Sequence, residues 1–175
     1  NRENHAEVAD SYYNLGCVAY DQGDYQGAKR MGEKALATRK ATLGENHVDV
    51  ADLYNNLGLI AKENGDYAGA KKLFEKALAI FSTCLGEDDL HVAMSYNVLG
   101  ALAYDKGNYD EAKELYLKVL AIHRAALGEN HPTTTMTFGN LAFSFAAIGK
   151  EVAAANDRAA CRAGDRCRRG DDDDE

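Results

Sequence analysis

The sequence repeats itself at a fixed interval, and that restricts the fold more than anything else in it. Asn55-Asn56-Leu57-Gly58, Gly65-Asp66-Tyr67, Ala70, Ala77-Leu78 and Leu85-Gly86-Glu87 have counterparts 42 residues upstream. Those are Tyr13-Asn14-Leu15-Gly16, Gly23-Asp24-Tyr25, Ala28, Ala35-Leu36 and Leu43-Gly44-Glu45. The same interval downstream brings Asn97-Val98-Leu99-Gly100, Gly107-Asn108-Tyr109, Ala112, Val119-Leu120 and Leu127-Gly128-Glu129. A fourth pass opens with Gly139-Asn140-Leu141-Ala142 and Gly149, then loses the pattern. A period of this size predicts stacked supersecondary units, each burying its apolar face on its neighbours.

Each unit reads as two helices. Apolar residues recur at three- and four-residue steps in the first of them: Val8, Tyr12, Leu15 and Ala19, then Val50, Tyr54, Leu57 and Ala61. Glycine at 23, 65, 107 and 149 predicts a helix end, since it enters the left-handed region without a Cβ clash. Asp24, Asp66 and Asn108 follow as N-caps for the second helix, Asn108 forming a capping-box-like pair with Glu111. Gly44, Gly86 and Gly128 close the second helices.

Small residues at Gly16 and Ala28, Gly58 and Ala70, Gly100 and Ala112 predict close approach of the paired helices, with Tyr25, Tyr67 and Tyr109 filling the next layer. Gly32 stands where Phe74 and Tyr116 stand in the later units, so unit one is expected to be the softest complete one. The fourth first-helix carries Met136, Phe138, Leu141, Phe143, Phe145 and Ile148 and needs a cover. The segment after it, with Asp157 and Arg158 at inward positions, supplies a poor one, so weak self-association is expected.

These residues resemble the tetratricopeptide repeat family in its 42-residue form, as in kinesin light chains and nephrocystin-like proteins. The resemblance rests on Tyr12-Leu15-Gly16, Tyr54-Leu57-Gly58, Tyr96-Leu99-Gly100 and Phe138-Leu141-Ala142. The Gly-[Asp/Asn]-Tyr turns and the Leu-Gly-Glu-Asn-His joints support it, over roughly residues 5–150. It implies an all-α, right-handed superhelical solenoid of antiparallel helix pairs. The expected divisions are the end of a preceding joint at 1–4, repeats at 5–46, 47–88 and 89–130, a partial fourth at 131–163, and a charged tail without regular structure at 164–175. Because Glu3-Asn4-His5 matches Glu45-Asn46-His47, a piece of a longer array is expected.

Composition excludes several functions. The net charge is −8, with the last five residues acidic and the Arg-bearing segment 151–170 slightly basic. An acidic body argues against nucleic acid and anionic membrane as partners, because phosphate binding rests on Lys and Arg density. No apolar run reaches the length of a membrane span. The four cysteines, Cys17, Cys84, Cys161 and Cys167, form no C-x-x-C pair. Cys17 and Cys84 are expected to be small buried residues. That usage suggests a reducing, cytoplasmic setting.

No catalytic motif, metal-ligand spacing or cofactor fingerprint is present, so neither an enzyme nor a cofactor is expected. His5, His47 and His131 recur once per unit, but Asp89 takes the same place in unit three. A position that accepts His or Asp before a helix is a capping position. What remains is the face of the first helices, which in this family line a concave groove.

Carried over from the family, Asn14, Asn56 and Asn140 would hold an extended peptide backbone, Val98 breaking the series, with Asn55 and Asn97 beside them. Amides donate and accept, so they fit a backbone without choosing its sequence; equally, they could tie neighbouring first helices together. Asp10, Asp52, Tyr20, Lys62, Tyr104, Cys17 and Leu59 share the face by spacing. With Lys62 the lone base there, the expected partner is a neutral-to-basic protein or peptide. The competing expectation is an architectural spacer, or a regulatory repeat module of a larger enzyme or NTPase.

Overall fold

Five helix starts in this chain are set by the side chain one residue ahead of the helix. An Asp24 carboxylate oxygen accepts from Gly27 N–H and an Asp66 oxygen from Gly69 N–H, both at 2.8 Å. Asp89 does the same for His91 N–H at 2.8 Å, and the His47 and His131 Nδ1 atoms accept from Asp49 and Thr133 N–H at 3.2 Å. The His/Asp position is therefore a capping position at 47, 89 and 131, whereas His5 lies inside α1, which begins at Arg2. Asn108 differs from expectation: it makes no side-chain cap, and its amide meets Glu111 at 3.5 Å instead.

The computed structural model describes residues 2–170, and gives side chains for residues 5, 7–156 and 158. Its helices are α1 (Arg2–Asp21), α2 (Tyr25–Leu43), α3 (Val48–Glu63), α4 (Tyr67–Leu85), α5 (Leu90–Asp105), α6 (Tyr109–Leu127) and α7 (Pro132–Gly170). No strand occurs among the described residues. The chain is an all-α solenoid: α1 packs on α2, α3 on α4 and α5 on α6, and each pair stacks on the next through α2–α3, α4–α5 and α6–α7. The turns inside the pairs hold Gly23, Gly65 and Gly107 at φ of 77 to 80°, where an L side chain would be strained.

The core is serial. Val50, Tyr54, Ala77, Phe81, Val92 and Val119 form one cluster through the middle, while Phe74 with Leu99 and Tyr116 with Leu141 form the clusters on either side of α5. Above the aromatic of each first helix lies a basic group of the second helix, Lys34 over Tyr12, Lys76 over Tyr54 and Lys118 over Tyr96, at 4.9 to 5.4 Å.

Several expectations are corrected. The helix expected to end before Gly149 runs on through it to Gly170. Lys150 and Glu151 offer no N-cap in place of the Asp or Asn found after the other turn glycines, so nothing competes with helix continuation. Residues 164–170 of the expected tail are helical; 171–175 lie outside the described residues. Met136 stays 72% exposed and Phe143 66%. Ala142 is also exposed, so it forms no small-residue contact like that of the complete pairs.

At the other end, Leu15 is 56% exposed although Leu57 and Leu99 are buried. Leu57 packs on Ala28 of α2, and Leu99 on Phe74 of α4; no helix precedes α1 among the described residues. Cys17 and Cys84 are exposed rather than buried: Cys17 lines an open cavity beside α1, and Cys84 Sγ donates to Asn46 O at 3.3 Å at the surface of the preceding joint. The side chains of Cys161 and Cys167 are outside the described set. Tyr67 is likewise exposed, whereas Tyr25 and Tyr109 pack edge-on against Tyr20 and Tyr104.

The small-residue contacts also differ from expectation. A Cβ on Gly58 would come within 2.5 Å of the Phe74 ring, and one on Gly100 within 2.9 Å of the Tyr116 ring. These glycines make room for a ring of the second helix. At Gly16 the nearest atoms are Ala28 O and Met31 Cβ, both at 3.5 Å.

Candidate functional site

A first helix follows a short turn from the previous pair, so α1, α3 and α5 lie side by side and present one face each. Between them opens a groove of about 400 Å³. Its walls include Asp10 and Tyr13 of α1, Asp52, Asn55, Asn56 and Leu59 of α3, and Met94 and Val98 of α5. A second cavity of about 180 Å³ continues from it between α1, α2 and α3, sharing Tyr13, Leu53, Asn56 and Leu59.

The groove's charges are unequal in status. Arg39 of α2 reaches both Asp10 and Asp49, so those two carboxylates share one cation and the trio keeps a net negative charge. Asp52 is partly buried and joins no ion pair among the described residues. Burial raises its carboxyl above the ordinary value, the nearby His91 offsetting this and Asp49 adding to it. Burial also raises the Tyr13 phenol, with Cys17 contributing.

The asparagines are largely engaged with neighbouring first helices. Asn56 Nδ2 donates to the Tyr13 hydroxyl at 3.4 Å, and Asn140 Nδ2 to Asn97 Oδ1 at 3.3 Å. Asn55 is only 5% exposed and donates to Ser95 Oγ at 3.4 Å; its Oδ1 has no partner. A buried acceptor left without a donor costs stability.

Of the residues expected on this face, Asp10, Asp52, Asn55 and Asn56 line the groove, and Tyr20 lines the adjoining cavity. Asn14, Asn97, Asn140, Lys62 and Tyr104 line neither. Lys62 pairs with Asp105 of α5 at 2.7 Å, which raises its ammonium above the ordinary value. Tyr104 is packed against Tyr109 and the Ala103–Tyr116–Leu141 cluster. Sequence reasoning missed Tyr13, Met94 and Arg39. The first occupies the register of Asn55 and Asn97 and was findable; Arg39 belongs to a second helix and gave no signal.

Among the described residues no group of three His, Cys, Asp or Glu side chains is placed to hold a metal ion, and no helix is long and apolar enough to cross a membrane.

The sequence matches the tetratricopeptide repeat family model over residues 49–122 and 91–157, and a second model of the same description over 8–49. No match was found among curated proteins. Among solved structures, BtubC (BKLC) from P. vanneervenii superposes with a TM-score of 0.74 at 29% identity, covering 90% of this chain. The chain spans 64% of the length of that protein. A candidate kinesin light chain from Podosopora anserina with nearly identical TPR-like repeats gives 0.73 at 25% identity, over 83% of this chain and 68% of the other. A point variant of that Podosopora anserina protein gives 0.73 at 26%, with the same coverage.

Proposed function

Because the chain belongs to the tetratricopeptide repeat family, with repeats of the kinesin light chain type, we propose that it is a protein-interaction scaffold whose α1–α3–α5 groove takes an extended, neutral-to-basic peptide. The observation that carries this reading is Asp52: a partly buried carboxylate on the groove wall, without a cation, beside two others already held by Arg39. A Lys or Arg of a partner would relieve its desolvation. Asn56, with Tyr13 weakly held at 3.4 Å, can exchange that bond for one to the ligand. The excess of groove carboxylates, Asp10, Asp49 and Asp52 against Arg39, also concentrates such partners and speeds encounter.

The Asn56–Tyr13, Asn55–Ser95 and Asn140–Asn97 bonds support a second reading, an architectural role in which amides knit the stack together. One experiment separates the two. The chain is screened against matched acidic and basic peptide libraries, and the best hit is titrated against Asp52→Asn. The expected result is selection of basic peptides, roughly tenfold weaker binding to the variant, and affinity that falls with salt. Selection of acidic peptides, or unchanged affinity, would overturn the groove assignment, and capture of no peptide would favour the architectural role.

A further inference from the structure

The second cavity exists because one residue departs from the repeat. In pair two the Phe74 ring lies against Gly58, and in pair three the Tyr116 ring lies against Gly100. The equivalent second-helix residue in pair one is Gly32, which has no side chain to lay against Gly16. Gly16, Ala28, Gly32 and Leu57 instead line a largely apolar space of about 180 Å³ that opens towards the groove past Tyr13 and Cys17. Beside Leu99 and Leu102, in the part of the stack that Phe74 fills, the cavity measures only about 10 Å³.

We propose that this cavity is a binding site for an aromatic side chain of a protein partner, a phenyl-sized ring taking the place that Phe74 and Tyr116 fill from within in the other pairs. The volume is of the right size, since an apolar cavity of roughly 150 Å³ accepts benzene. The lining is of the right kind, with the Leu57 side chain on one wall and the flat backbone of two glycines on another. The entrance joins the groove at Asn56 and Leu59, so a chain lying along the α1–α3 face can turn one side chain inwards. The site itself does not depend on the groove reading, because the missing ring alone creates it.

Cys17 lines the cavity and is exposed, while Cys84 is exposed elsewhere, so the protein carries its own reporter and control. The full chain is equilibrated separately with bis(2-phenylethyl) disulfide and bis(2-hydroxyethyl) disulfide. In each exchange the Cys thiolate attacks one sulfur, a mixed disulfide forms and one thiol equivalent leaves, with no net redox change. Peptide mapping then measures occupancy at each cysteine. The phenylethyl group should be preferred at Cys17 by about tenfold over hydroxyethyl, the scale of burying one ring, with no such excess at Cys84.

Gly32→Phe should abolish that preference and raise Tm. A Cβ there meets the Leu57 side-chain end at 2.8 Å, and that methyl can turn into the cavity. Should Gly32→Phe fail to fold, Gly16→Leu fills the same space from α1 and must also abolish the preference. Equal preference at Cys17 and Cys84, or a preference that survives the filled variant, overturns the assignment. The probe has no peptide chain, so its result stands whether or not basic peptides bind the groove.

Discussion

Pairs one and two are built on the same 42-residue template, yet they hold together by different means. At one register position α2 carries Gly32 and α4 carries Phe74; about two turns further on, α2 carries Arg39 and α4 carries Phe81. Both phenylalanines are fully buried, Phe81 lying 5.2 Å from the His91 ring on the next pair. In pair one the same two positions give a cavity and a charged clamp, Arg39 on Asp10 and Asp49. Ring burial needs no partner of defined charge, whereas the clamp leaves both carboxylates half in water, where ion pairs contribute little. The comparison teaches that a repeat array can keep its turns fixed while changing what fills the space between helices, and that the pair lacking the ring is where the cavity opens.

The largest effect that could break this comparison is removal of the ring. Phe74→Ala should cost about 3–5 kcal/mol in chemical denaturation, since it empties a fully buried site between three helices. A cost near zero would mean that the ring is not what separates the two pairs. A glycine exchange sharpens the contrast. Gly58→Ala places a methyl against the Phe74 ring and should destabilise by roughly 1–3 kcal/mol. Gly16→Ala meets only ordinary contacts at 3.5 Å and should gain up to about 1 kcal/mol of helix propensity. Equal effects at the two sites would contradict the difference in packing.

The smallest effect concerns the third joint. There the position of Arg39 and Phe81 is taken by His123, buried, with Nδ1 2.9 Å from Thr137 Oγ1. That hydroxyl already donates to Thr133 O at 3.0 Å, so Nδ1 carries the proton and donates to it. Burial first, then the nearby His131, pushes the imidazole below its ordinary value of 6.5. The unfolded chain therefore takes up the proton first. This contribution to stability is complete above 6.5 and is lost as pH falls from there towards the lower folded-state value. Thermal unfolding at about pH 7 and about pH 5.5, on either side of that ordinary value, should show a decrease that is smaller in His123→Asn.

Much of this is legible in the residues because it is local. Gly65-Asp66-Tyr67 announces a helix end, a cap and a helix start within three positions, and the 42-residue interval then places every other turn. Where the local signal is incomplete, sequence and structure part. Gly149 reads as a stop, but a turn glycine without a following cap lets the helix run on through Lys150 and Glu151. The groove is less legible. Register alone brings Asp52 and Asn56 to its wall, while Lys62, in register with Tyr20 and Tyr104, is occupied by Asp105 of the following helix.

The sequence by itself determined the three complete helix pairs, their order and most of their caps, since each depends on hydrogen bonds and backbone preferences spanning a few residues. Only the tertiary structure decided which side chains remain free to bind. Whether Asp52 stands without a cation, Asn55 Oδ1 without a donor, or Gly16 without a ring depends on atoms of neighbouring helices, up to 40 residues away in the chain for the Asn55–Ser95 pair. Those contacts exist only once the pairs have stacked.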